Sequence, residues 1–167
     1  DVVMERMRQL RARISQSDSA KRFSGLGVDV FIGDGHFVGP DMVQVGSAVL
    51  HFSRAAICTG ARAAAPPIDG LDEAGYLTNE TVFSLTALPT RLAVVGAGPI
   101  GCELAQAFAR FGTEVTLLER IGHILPREDI EASAIVQKQM ANEGVTFVFN
   151  AVIDKVERRG AEKIVSY

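Results

Sequence analysis

The short apolar run "RLAVV" at 91–95 leads directly into Gly96, Gly98 and Gly101, and a stretch of helical periodicity follows, ending at Gly112. A second apolar run, "EVTLL", is then closed by Glu119. Few folds accept that order. Three glycines so placed have three separate mechanical uses: Gly96 permits a tight turn, Gly98 lets a ligand come close to the backbone, and Gly101 lets helix and strand pack together. The alternation continues beyond Glu119. The first helix is predicted over Pro99 to Phe111 with Ile100, Leu104, Phe108 and Phe111 along one face, and Gly112 is placed to end it in a left-handed conformation. A second helix is expected from Asp129 to Glu143 with Gly144 as its stop, and "VTFVF" makes a third strand. Near-continuous Val, Leu and Phe in these strands predicts a parallel sheet covered on both faces. The fold class is therefore α/β, with a Rossmann-like βαβαβ unit.

Such a turn is built to receive paired phosphates. The first N–H groups of a helix have no intrahelical partner, and the positive end of the helix dipole faces the same way. Pro99 suits the first helical position, where its missing N–H costs no helical bond, but it cannot donate to phosphate. The amides of Gly98, Ile100 and Gly101 are the candidate donors. Glu119 ends the second strand 23 residues after Gly96, where an acid that accepts the hydroxyls of an adenosine ribose is expected. Its charge would face the 2′-phosphate of NADP. Two like charges about 4 Å apart repel by about 4 kcal/mol at an effective dielectric near 20, so NAD is favoured over NADP. Arg120, with Arg127 nearby, pulls the other way, because arginine accommodates a 2′-phosphate; solvent exposure is the plainer role for both.

The rest of the chain has a different texture. Residues 1–22 read as one amphipathic helix, with Val3, Met7, Leu10 and Ile14 as its stripe and six basic residues on the solvated face. From Gly27 to Cys58 short apolar runs, "VDVFI", "HFV", "MVQV", "AVLHF" and "AAIC", alternate with turn formers and predict a β-meander. Residues 59–90 carry Pro66, Pro67 and Pro89 without a sustained period, which suits a crossover between domains, with one short helix near Glu80 to Leu85. A net charge of -3 gives no basic field for nucleic acid or an anionic membrane. No apolar run nears the roughly 18 residues that span a bilayer, so a cytoplasmic protein is expected. Cys58 and Cys102, far apart and in apolar settings, read as two buried thiols. His36, His51 and His123 read as ordinary strand or loop residues, and no Cys/His cluster has metal spacing. The start at Asp1 and the end on "EKIVSY", a strand just beginning, lead us to expect an interior segment of a longer polypeptide.

Taken together, "ICTGA" before the proline-bearing crossover, "LAVVGAGPIGCELAQAFARFGTEVTLLER" after it and the meander ahead of both resemble the flavin-dependent pyridine nucleotide-disulfide oxidoreductases, the mercuric-reductase-like and dihydrolipoamide-dehydrogenase-like members in particular. The resemblance implies a partial FAD-binding domain over 1–60, a crossover over 61–90 and a truncated NAD(P)-binding domain over 91–167. It places Thr59 and Gly60 on the FAD side. It also makes the glycine turn the nicotinamide site, since the family's FAD fingerprint lies near the start of the complete protein. Glu103, two residues after Gly101, would help to seat the nicotinamide against the flavin; alternatively it is an acid favoured by the helix dipole. The family's C-x-x-x-x-C redox pair, its FAD fingerprint and its C-terminal dimerisation domain are not found in this sequence. The implied function is the NAD(P)H-binding segment of an enzyme that passes hydride to flavin and on to a disulfide or metal-ion acceptor. The segment alone is expected to be inactive, and the whole protein a homodimer. A non-catalytic NAD-sensing or scaffold module is the competing reading.

Overall fold

The computed structural model describes residues 2–167, and the chain divides into two compact units, 1–62 and 63–167. The first opens with helix α1 (Val2–Ser17), followed by α2 (Ala20–Gly25). The single helix expected over this stretch is thus two. The break falls at Asp18–Ser19, because Ser19 takes an extended conformation and its side chain accepts from the Arg22 N–H, capping a new helix. A three-stranded antiparallel meander follows: β1 (Gly35–Gly39), β2 (Met42–Val45) and β3 (Ala48–His51). Gly46 at φ +58° makes the tight β2–β3 turn, and Phe37 meets Phe52 edge-to-face with centroids 5.9 Å apart.

The runs "VDVFI" and "AAIC" do not form strands. Ile32 is 87% and Ile57 72% exposed, and neither run finds a pairing edge among the described residues. β-propensity without a neighbouring strand leaves the backbone to water. No residue described in this unit is fully buried, as expected for a three-stranded ribbon and two helices with no shared core.

The second unit begins with a segment laid along its own hairpin. Helix α3 (Leu71–Ala74) and a 3₁₀ turn (Val82–Ser84) punctuate it, so the helix expected near Glu80–Leu85 is a single tighter turn, and α3 was unforeseen. The core consists of β4 (Arg91–Val95), α4 (Pro99–Arg110), β5 (Glu114–Glu119), α5 (Ile130–Asn142) and β6 (Val145–Phe149). β4, β5 and β6 are parallel neighbours in that order, in register from Leu92↔Val115↔Val145 to Val94↔Leu117↔Phe147. The antiparallel hairpin of β7 (Lys155–Arg159) and β8 (Glu162–Ser166) closes the chain. "EKIVS" is therefore the second arm of a hairpin whose charged first arm, "KVERR", has Val156 as its one apolar residue.

One continuous core joins Val115, Leu117 and Val145 of the sheet to Cys102 and Ala105 of α4 and Met140 of α5. Both helices thus cover the same face. Right-handed crossovers that add strands in one direction put them there. The sheet was expected to be covered on both faces; on the face away from α4 and α5, Leu118 is 2% exposed but its register partner Val95 is 47% exposed, so cover there is partial. The buried side of α4 differs as well, running through Cys102 and Ala105, while Ile100 and Phe111 lie 55% and 45% exposed. Phe108 of the expected stripe still packs against the core, and the close approach that Gly101 allows buries the small Cys102 and Ala105 beside it. Gly112, at φ +95°, ends α4 as expected. Its N–H bonds the Ala109 carbonyl at 2.9 Å and that of Thr113 the Phe108 carbonyl at 3.0 Å.

Candidate functional site

The candidate site is the carboxyl edge of the parallel sheet, where β4 runs into the glycine turn and β5 ends at Glu119. Each glycine has its own physical reason. Gly96 lies at φ +95°, a conformation that strains any side chain. A Cβ on Gly101 would sit 2.1 Å from the Gly96 carbonyl oxygen, so only glycine lets α4 start there. Gly98 is different: its φ of −71° and ψ of 178° suit any residue, and a Cβ there would meet no protein atom within 4 Å. Nothing inside the protein requires glycine at 98, and the open ground beside it is where a ligand would need the backbone bare.

Gly98 is the N-cap of α4, and its carbonyl accepts the Cys102 N–H at 3.0 Å. Pro99 occupies the first helical position as expected. Pro99 and Ile100 are exposed and Gly98 and Gly101 half-buried, so the turn is reachable from solvent. The donors of the 98–101 stretch and the helix dipole converge on this side.

Glu119 is half-buried and does more than end a strand. One carboxylate oxygen accepts the Ala97 N–H at 2.7 Å and the other the Ile121 N–H at 3.0 Å. A carboxylate has about four acceptor positions, so one remains on each oxygen, enough for a vicinal pair of hydroxyls. Ala97 is wholly buried, and its carbonyl accepts the Leu125 N–H at 2.8 Å and the Cys102 thiol at 3.3 Å. Leu125 holds φ +50°, uncommon for a residue with a side chain. Ala97, Ile121 and Leu125 were not singled out in the sequence. Their part is played by backbone groups, which no residue type announces. Asn150, at φ +56° just beyond β6, carried the one readable signal, since Asn tolerates that conformation.

Glu103 is exposed on the first turn of α4. With Glu128 it edges an open cleft of about 270 Å³ between α4 and α5, against Leu125 and Met140. Two carboxylates make that cleft a poor seat for phosphate. Arg120 and Arg127 are solvent-exposed, and no ion pair holds either among the described residues. The two cysteines divide: Cys102 is buried, but Cys58 is exposed, contrary to expectation, because the run that carries it finds no strand to pair with. Burial first, then the charges of Glu119 and Glu103, push the Cys102 thiol up to about 11. It is therefore a neutral packing group at ordinary pH, not a nucleophile. Thr59 and Gly60 lie exposed in an irregular stretch of the first unit, with Gly60 at φ +65°, whereas the glycine turn and Glu119 belong to the second. No helix among the described residues is long and apolar enough to cross a membrane.

A family model described as pyridine nucleotide-disulphide oxidoreductase matches residues 5–166. A mercuric reductase of Lysinibacillus sphaericus is 39% identical over 137 residues, which make up 82% of this chain and 25% of that protein. Among solved structures, LpdA of Mycobacterium tuberculosis superposes with a TM-score of 0.83 at 28% identity, covering 98% of this chain and 38% of that one. The Cu(II) complex of the HOCl-induced flavoprotein disulfide reductase RclA of Escherichia coli gives 0.80 at 26%, covering 97% and 39%. The chain spans well under half the length of these proteins.

Proposed function

The chain belongs to the pyridine nucleotide-disulphide oxidoreductase family, and from that premise we propose that its glycine turn holds the pyrophosphate of NADH within a longer FAD-dependent oxidoreductase. The observation that carries the reading is Gly98, whose bare backbone serves no need of the protein's own packing or conformation. The amides of Gly98, Ile100 and Gly101 donate to the phosphates at the positive end of α4, with Pro99 presetting the first turn. The free acceptor positions of Glu119 take the two hydroxyls of the adenosine ribose. The same charge repels a 2′-phosphate and favours NAD over NADP, with Arg120 as the group that softens the preference.

The nicotinamide ring, when bound, would supply a hydride to flavin, and the electron pair so gained would go on to a disulfide or metal-ion acceptor. This chain's residues do the binding and orienting. Glu103, exposed one turn into α4, is the group placed to steer the nicotinamide end. Thr59 and Gly60 belong to the FAD side, within a partial FAD-binding domain over 1–60 that the crossover at 61–90 joins to the NAD(P)-binding domain at 91–167. The relatives' greater length supports reading these residues as part of a larger enzyme; a cytoplasmic, homodimeric whole protein and a segment unable to turn over by itself complete the proposal.

The test is anaerobic reduction of the flavin in the intact protein. NADH is expected to bleach the flavin absorbance at lower concentration than NADPH. If neither nucleotide bleached it, the proposal would fail.

A further inference from the structure

Glu119 and the segment that follows it do not only border the glycine turn; they hold it from both sides of one residue. The Ala97 N–H is taken by the Glu119 carboxylate at 2.7 Å, and the Ala97 carbonyl by the Leu125 N–H at 2.8 Å and the Cys102 thiol at 3.3 Å. That carbonyl shares a peptide plane with the Gly98 N–H. In a trans peptide the two point in opposite directions. With the carbonyl drawn toward Leu125 and Cys102, the Gly98 N–H is turned away from them. Leu125 itself holds φ +50°, a strained backbone of the kind retained where the surrounding structure fixes it.

We infer that Glu119 is a positioning residue for the phosphate cradle: by bracing Ala97 against the β5 exit loop it fixes the direction of the Gly98 amide, so phosphate affinity depends on Glu119 even for a ligand with no hydroxyl for it to read. The inference rests on the proposed nucleotide site and deepens it. An acid that only recognises sugar hydroxyls predicts that its removal spares every ligand without them. A brace predicts that all pyrophosphate ligands weaken together.

The experiment titrates ADP and 2′,3′-dideoxy-ADP against the flavin-loaded intact protein and its Glu119→Ala and Glu119→Gln variants, alongside hydrogen exchange of the Ala97 amide without nucleotide. For Glu119→Ala the expected result is dideoxy-ADP binding weaker by on the order of tenfold, the scale on which small misplacements of a binding group are felt, and faster Ala97 exchange. Glu119→Gln keeps one acceptor for the Ala97 N–H, so it should restore part of the dideoxy-ADP affinity and of the protection, and it keeps the test open should the alanine variant not fold. Dideoxy-ADP affinity unchanged in both variants while ADP weakens would overturn the brace and leave the nucleotide site standing. Failure of the unsubstituted protein to bind either ligand would overturn the site and the brace together.

Discussion

Replacing Gly98 and Gly101 separately by alanine distinguishes a glycine kept for the ligand from one kept for the fold. At Gly98 the backbone at φ −71°, ψ 178° accepts alanine without strain, and the methyl meets no protein atom within 4 Å. Alanine is a poorer N-cap than glycine, but the cost is about 1 kcal/mol at most. On the proposed reading, the same methyl would stand where the phosphates approach. Losing one hydrogen bond to a charged group costs about 1.5–3 kcal/mol, which is about ten- to a hundredfold in affinity. At Gly101 the methyl would lie 2.1 Å from the Gly96 carbonyl oxygen, a backbone atom with little room to yield. Overpacking of this kind costs about 1–3 kcal/mol, or about 4–8 °C per kcal/mol in a domain of this size. Isothermal titration with NADH and thermal denaturation of both variants of the intact protein read the two effects apart. Gly98→Ala should lose NADH affinity and no more than about 1 kcal/mol of stability, while Gly101→Ala should melt below Gly98→Ala, its loss reaching up to about 3 kcal/mol. Wild-type NADH affinity in Gly98→Ala, or a stability loss equal to that of Gly101→Ala, would refute the argument.

Other expectations follow from neighbouring features. Two hydrogen bonds of 2.7 Å from Arg110 to Glu143, helped by Gln139, hold the Glu143 carboxyl down at about 2 against an ordinary 4.5. A depressed carboxylate contributes stability that is complete above the unfolded value and lost as pH falls through the folded one. The melting temperature should therefore drop between pH 4.5 and 2 by more in the wild type than in Glu143→Gln; parallel profiles would contradict this. Asp129 caps α5 by accepting the Glu131 and Ala132 N–H groups, so Asp129→Ala should cost about 1 kcal/mol in denaturant unfolding, and no change would remove the cap from the account. Cys102, buried with its thiol near 11, should resist iodoacetamide in native protein at neutral pH and react once denatured, as peptide mass mapping would show. Gly70→Ala combines φ +70° with a contact of 2.2 Å to the Val156 carbonyl, and should loosen the stretch before α3 from the hairpin, read as faster exchange of the Val156 N–H bonded to Asp69; unchanged exchange would contradict it.

The second unit was legible because its signals are local. The glycines at 96, 98 and 101, the stops at 112 and 144 and the acid at 119 each answer to a short-range rule, and helix and strand limits fall within about a residue of those expected. What escaped depends on partners. "VDVFI" and "AAIC" have strand composition but no edge to pair with among the described residues, and "KVERR", with Val156 as its one apolar residue, pairs with "EKIVS". The stripe expected along α4 was right at Phe108, which packs against the core, and wrong at Ile100 and Phe111; periodicity counts large side chains and passed over Cys102 and Ala105, which are buried where Gly101 brings the helix close. At the site, the place of Glu119 at the end of β5 was readable, but its hold on Ala97 depends on a backbone N–H supplied by another strand's exit turn.

The most direct measurement is a crystal structure of the intact protein with NADH. The account predicts pyrophosphate oxygens within hydrogen-bond reach of the amides of Gly98, Ile100 and Gly101, and the adenosine ribose on Glu119. An ordered nucleotide bound elsewhere, with this turn still free of phosphate, would contradict it.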